Sequence, residues 1–415
     1  DFTEVYDTLC TERPEAAFAE SYFGGREEDY DVIKQLDGYI SGPTDGNAEA
    51  WYRLWYAATN GFASDADYFK VQGLNVDGTR NPAYENLLDV PNLIDYMLVI
   101  LYGGNLDAPI SGFLDNDGPN NWYGFRDRTD QHGGFRFVSH DAEHTLLNVN
   151  EDRTGIVNLA NTQPPNTYGV IEADWTCGNP LTQTVNGNYN PATAANDARI
   201  RATPQYLWFR LHPNAEFRMR AADRIQKHCF NGGPLSVEGM RAAFLTRSNE
   251  IQRAIVPESA RWGDAKSEPG YTRDTWVAAM NSGTHGIGFL NGRTAVLLGQ
   301  LRADGLFPNN NAPVFSSRGG AVPAGFAFFM TNNNTSSTIY YTLNGTDPRL
   351  RGGSISPFAI AYTPGTPLLI NFPVTIRARV RSGILWSAIE EATFYPAQDF
   401  RGLLITEIMY NPPGI

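Results

Sequence analysis

Asn120-Asn121-Trp122-Tyr123-Gly124-Phe125-Arg126 is followed by Gly133-Gly134-Phe135-Arg136-Phe137-Val138 and by His140-Asp141-Ala142-Glu143-His144, two aromatic runs around a glycine pair that lead into acids and histidines. Apolar and polar residues alternate around Trp122 and Phe125, and again around Phe135 and Phe137, which predicts two strands with Gly133-Gly134 in the turn between them. Asp141 and Glu143 follow two residues apart. Leaving the second strand on one side, they would offer oxygen ligands to a single hard cation.

Upstream, residues 93–102 form an apolar segment in which Pro91 suits a first helical position and Gly103 a stop. Gly103-Gly104-Asn105-Leu106-Asp107 therefore sets an acid where a helix gives way to a loop. An acid, an Asn, a hairpin and a second acid in that order match protein-kinase logic, where one Asp orients the hydroxyl and an Asn and another Asp hold the metals. The spacing alone fits other carboxylate sites as well.

Ala19-Glu20-Ser21-Tyr22-Phe23-Gly24-Gly25 and Asp29-Tyr30-Asp31-Val32-Ile33-Lys34 precede these motifs, and together with them resemble the CotH-type secreted kinases of spore coats. Phe217-Arg218-Met219-Arg220-Ala221-Ala222-Asp223-Arg224, Phe230-Asn231-Gly232-Gly233 and Glu258-Ser259-Ala260-Arg261-Trp262-Gly263-Asp264 look like the C-terminal half of that family, so the resemblance covers roughly residues 1–300. It implies an α+β fold with an atypical protein-kinase-like domain in residues 1–307. The implied activity is metal-dependent transfer of phosphate from ATP to Ser or Thr of secreted or surface proteins. Asp107 and Asn121 match catalytic positions, and Asp141 and Glu143 metal-binding ones, with Mg2+ or Mn2+ expected and Ca2+ a further candidate. Glu12 falls near the nucleotide, with an exposed ion pair as the alternative.

Residues 108–119 separate Asp107 from Asn120 where simpler members have only a few residues, and they add Asp115 and Asp117. Asp115 to Asn120 imitates the D-x-x-x-x-N of ordinary kinases, so Asp115 is a second candidate for the catalytic acid. Asp115-Asn116-Asp117-Gly118 also resembles the start of a calcium loop, although the distant bidentate Glu is missing and a plain turn fits better. His140 and His144 suggest imidazole ligation of a transition metal or, as the favoured alternative, hydrogen bonds that orient the carboxylates. Glu258, Asp264, Arg261 and Trp262 read as a structural cluster with no chemistry.

No glycine-rich phosphate loop is visible, and the phosphate-binding Lys of a kinase small lobe is expected before residue 1. Much of that lobe is thus expected to be missing. A segment at Pro308-Asn309-Asn310-Asn311-Ala312-Pro313 marks a domain boundary, and short alternating strands follow. Ile339-Tyr340-Tyr341-Thr342-Leu343-Asn344-Gly345-Thr346-Asp347-Pro348 resembles the immunoglobulin-like domain at chitobiase C-termini, implying a β-sandwich over residues 308–397. Leu403-Leu404-Ile405-Thr406-Glu407-Ile408-Met409-Tyr410-Asn411-Pro412 looks like the first strand of a truncated lamin-tail-like domain in residues 398–415.

With 415 residues, 42% of them hydrophobic, the chain can bury several cores. A formal charge of -13 argues against nucleic acid and anionic membranes, which select basic patches. No apolar run is long enough to span a bilayer. Cys10, Cys177 and Cys229 are too few for a disulfide scaffold, and pairing of Cys177 with Cys229 stays open. Asn333, Asn334 and Asn344 begin N-x-[ST] triplets, which chance explains better than glycosylation does. Secretion is an expectation from the resemblance. The rival class is a non-catalytic matrix or surface protein whose β modules bind glycans or self-associate. Carbohydrate processing is a weaker third reading, because no acid pair stands in a sugar-binding context.

Overall fold

A computed structural model describes residues 13–36, 39–114, 118–129, 133–154, 203–265, 267–284 and 286–397. The chain divides into two compact units, Asp1–Phe307 and Pro308–Ile415. At the coarse level the molecule is α+β, with helices and several sheets.

The first unit is built on a four-stranded antiparallel sheet in which Tyr39–Asp45, Tyr30–Leu36, Trp122–Asp127 and Arg136–Ser139 lie side by side in that order. Tyr123 pairs with Lys34 on one side and Val138 on the other, so the expected hairpin is present and the sheet continues from it. Alternation puts Tyr30, Val32, Tyr123 and Phe125 on one face, under the helix Ala16–Phe23. The other face carries Trp122 and Phe137 against Trp51 of the helix Glu49–Asn60. Gly134 lets the chain pass beside this layer, since a Cβ there would stand 2.1 Å from the backbone nitrogen of Leu88.

The apolar segment becomes the helix Val90–Gly103, with Asp89 accepting from the Asn92 N–H at its start and Gly104 left-handed (φ 58°) at its end. It packs against Arg136–Ser139 through Tyr96 and Phe137. On its far side Asp95 accepts from Arg224 Nε at 2.6 Å and is 2.9 Å from His228 Nε2, both on the helix Ala215–Cys229. The helix Ile287–Ala303 closes the unit with seven buried residues, including Arg293. Val237–Ile251, Ile255–Trp262 and Arg273–Met280 contain no buried residue, and Arg261 stacks over Trp262 as expected.

The second unit is a β structure with one six-stranded sheet and two two-stranded ladders around an apolar core of Phe328, Ile376, Val380 and Phe394. Thr338–Thr342, Val374–Ser382 and Glu390–Pro396 lie adjacent in the larger sheet. The stretch read as one strand over residues 326–330 is two. Phe326–Phe328 pairs with Leu368–Ile370, and Met330–Thr331 pairs with Val314–Phe315, the exchange occurring at Phe329. The lamin-tail-like strand, the polar stretch 155–202 and Cys10 and Cys177 lie outside the described residues. Cys229 carries a free thiol whose burial pushes it up to about 12.

Candidate functional site

Asp107 lies in the loop after the helix Val90–Gly103 and is 9% exposed. Its backbone N–H donates to Asn105 Oδ1 at 2.8 Å, a local turn that aims the side chain. Ser111 Oγ and Asn120 Nδ2 (3.2 Å) donate to Oδ1, and Asn121 Nδ2 donates to Oδ2 at 2.9 Å. Three donors from separate residues therefore fix the carboxylate's position and rotation.

The long insertion explains how Asn120 and Asn121 get there. Ile110–Ser111 pairs antiparallel with Gly118–Pro119, and Asn120 N–H donates to Pro109 O at 3.0 Å. The ladder between Ile110–Ser111 and Gly118–Pro119 thus returns the chain to Asp107 beside its starting point. Separation in sequence is cancelled in space.

A backbone seam joins this loop to the acidic segment. Leu106 N–H donates to His144 O at 3.1 Å, and Leu146 N–H to Gly103 O at 2.8 Å. Asn121 Nδ2 reaches across it, standing 3.4 Å from Asp141 O as well as bonding Asp107. Asn121 and Asp141 both have left-handed backbones, φ 52° and 48°, which non-glycine residues adopt at a cost.

Asp141 and Glu143 differ from the expected geometry in one respect. The strand ends at Ser139, and the left-handed turn at Asp141 ends the period-two alternation, so the two acids are not neighbours on one strand face. Both are exposed, and Glu143 Oε1 is 3.3 Å from His144 Nε2. Neither Arg126 nor Arg136 neutralises them: Arg126 pairs with Glu85 and Arg136 with Asp89. His144 packs on Phe113, and His140 stands edge-on to Tyr123 with ring centroids 5.2 Å apart. Burial holds the His140 imidazole below its ordinary pKa, with Asp141 opposing and Lys34 and Arg13 reinforcing the shift.

Lys34 was not picked out as a site residue from sequence. It is 6% exposed on the strand Tyr30–Leu36, its ammonium 5.1 Å from the Tyr123 ring centre. A lysine following Val32-Ile33 in a buried strand was the available signal. Ser111 was also missed, for want of any motif around it. Asp107, Asn121 and the residue 141–144 segment are thus gathered at one end of the sheet. Glu12, Asp115 and Asp117 lie outside the described residues.

Among the described residues no group of three or more His, Cys, Asp or Glu side chains is placed to hold a metal ion. No described helix is long and apolar enough to cross a membrane. No family model, curated protein or solved structure was found to match the chain.

Proposed function

We propose that the first unit transfers phosphate from ATP to Ser or Thr hydroxyls of secreted or surface proteins, with Mg2+ or Mn2+ bound. The observation that carries this reading is Asn121, whose one side chain bonds the Asp107 carboxylate and approaches the Asp141 carbonyl. It links the two acids whose partition into hydroxyl-orienting and metal-binding roles defines kinase chemistry. Asp107 would accept the hydroxyl proton, held in place by Ser111, Asn120 and Asn121. That contact with Asn121 also favours Asp107 over Asp115 as the acid.

Asp141, with Glu143 beside it, would supply the protein's ligands to the cation. Exposed carboxylates fit Mg2+ or Mn2+, because such ions take one or two protein carboxylates and complete their shell with water and phosphate oxygens. The cation's chemical contribution is neutralisation of phosphate charge. Lys34 adds a positive charge on the adjoining sheet face. The test is incorporation of label from γ-labelled ATP into Ser or Thr of a panel of secreted proteins. The expected result is metal-dependent incorporation that Asp107→Ala removes; incorporation unchanged in that variant, or none in the unaltered chain, overturns the proposal.

A second reading, surface assembly or adhesion, draws on the apolar residues Phe372 (78% exposed), Ile384 (82%) and Leu385 (65%) of the second unit. It predicts concentration-dependent self-association of the full chain that Ile384→Lys weakens.

A further inference from the structure

Arg293 and Arg153 are both nearly inaccessible, 0% and 2% exposed, and both spend their guanidinium groups on backbone carbonyls around the Asp107 loop. Arg293 donates from Nε to Tyr102 O at 2.8 Å and from Nη2 to Leu101 O, capping the last carbonyls of the helix Val90–Gly103. Its Nη1 donates to Val149 O at 2.7 Å. Seven residues along the same helix, Gln300 Nε2 donates to Glu151 O at 3.1 Å. Arg153 Nη2 donates to Ile110 O at 2.8 Å, just after the loop, and Gln205 Nε2 holds the Arg153 carbonyl at 3.2 Å.

Residues 149–153 therefore form a strap tied to the chain before Asp107 by Arg293 and to the chain after it by Arg153. The strap continues directly from residues 141–146, which carry the second pair of acids and the seam to Leu106 and Gly103. No neutral side chain could replace Arg293 here, because a planar fork with five donors is what reaches three carbonyls on two segments at once. Burying it is costly, and desolvation lowers it to about 10. Simple packing would be served by an apolar residue.

We propose that Arg293, seconded by Arg153, is a positioning residue that sets the distance between Asp107 and the residue 141–143 segment. The role rests on the kinase reading for its purpose, but the clamp itself is independent of it. The experiment is hydrogen exchange by mass spectrometry on the full chain and on Arg293→Lys and Arg153→Met, alongside phosphoryl transfer. At position 293 lysine keeps the charge but loses the fork that spans both segments, and at position 153 methionine keeps the bulk but removes the donor to Ile110 O.

Either substitution is expected to speed exchange of the seam amides Leu106 and Leu146 by about tenfold while the helix Ala215–Cys229 keeps its protection. Arg293→Lys should lower kcat about tenfold with the KM for ATP within about twofold, since the second acid still binds metal but is displaced from the first. Seam exchange unchanged in both variants, or acceleration spread evenly through the first unit, overturns the clamp. A chain without phosphoryl transfer defeats the functional reading alone, because the exchange result still judges the clamp.

Discussion

Asp107 and Asp141 sit on either side of one backbone seam and are built in opposite ways. Asp107 is 9% exposed and held by Ser111, Asn120 and Asn121, with buried arginines behind its loop. Asp141 is exposed on a left-handed backbone, in a segment where the neighbouring side-chain pair is Glu143 with His144. One carboxylate is held rigidly before any ligand arrives and the other is left free to solvent. Under the proposed kinase reading, the held group would meet a hydroxyl at a set angle and the free one would take a hydrated cation.

Removing the held carboxylate should cost most. Asp107→Ala should lower phosphoryl transfer by about 10²–10⁴-fold. It also leaves donors of Ser111, Asn120 and Asn121 without their acceptor, so denaturant unfolding should report a loss of about 1–3 kcal/mol.

A matched pair of glycine substitutions sharpens the contrast. Asn121 and Asp141 share a left-handed backbone, which glycine adopts without strain. Asp141→Gly should raise stability by about 0.5–1 kcal/mol, because few contacts are lost. Asn121→Gly should instead lower it by about 1 kcal/mol, since the bond to Asp107 outweighs the relieved strain. Equal and same-signed changes in thermal unfolding would show that the two positions do not differ as described.

The smallest effect is a pH dependence at His140. Its folded-state pKa lies below the ordinary value of 6.5 because burial disfavours the charged ring. Its contribution to stability is therefore complete above about pH 6.5 and is lost as pH falls through the depressed folded value. His140→Gln should flatten the acid side of the stability profile below about pH 6.5 while leaving pH 8 nearly unchanged. A wild-type slope retained in the variant would contradict this assignment.

Local signals carried much of the fold. Pro91 and Gly103 marked the helix Val90–Gly103 to within a residue or so at its end, since the signals that start and stop a helix are written in neighbouring residues. Alternation around Trp122 and Phe137 marked the hairpin. What stayed hidden depends on distant partners. Nothing near Phe329 announces that the chain changes ladders there, because the exchange is set by where Val314–Phe315 and Leu368–Ile370 lie.

The same holds at the candidate site. Asp107, Asn121, Asp141 and Glu143 were visible as types in an order, but the left-handed turn at Asp141 was not, and strand alternation was carried on to Glu143, past the strand's end at Ser139. Arg293 sits in an apolar helix, and its partners are carbonyls more than 140 residues earlier. Such a residue looks like a surface charge until the chain is folded.

The most direct measurement is calorimetric titration of ATP with Mn2+ or Mg2+ into this 415-residue chain and into its Asp141→Ala variant. The account predicts saturable, metal-dependent binding in the unaltered chain and its loss in Asp141→Ala, with both proteins equally folded. Binding that ignores the metal, binding that survives Asp141→Ala, or no binding to the unaltered chain would contradict a nucleotide site built around that exposed carboxylate.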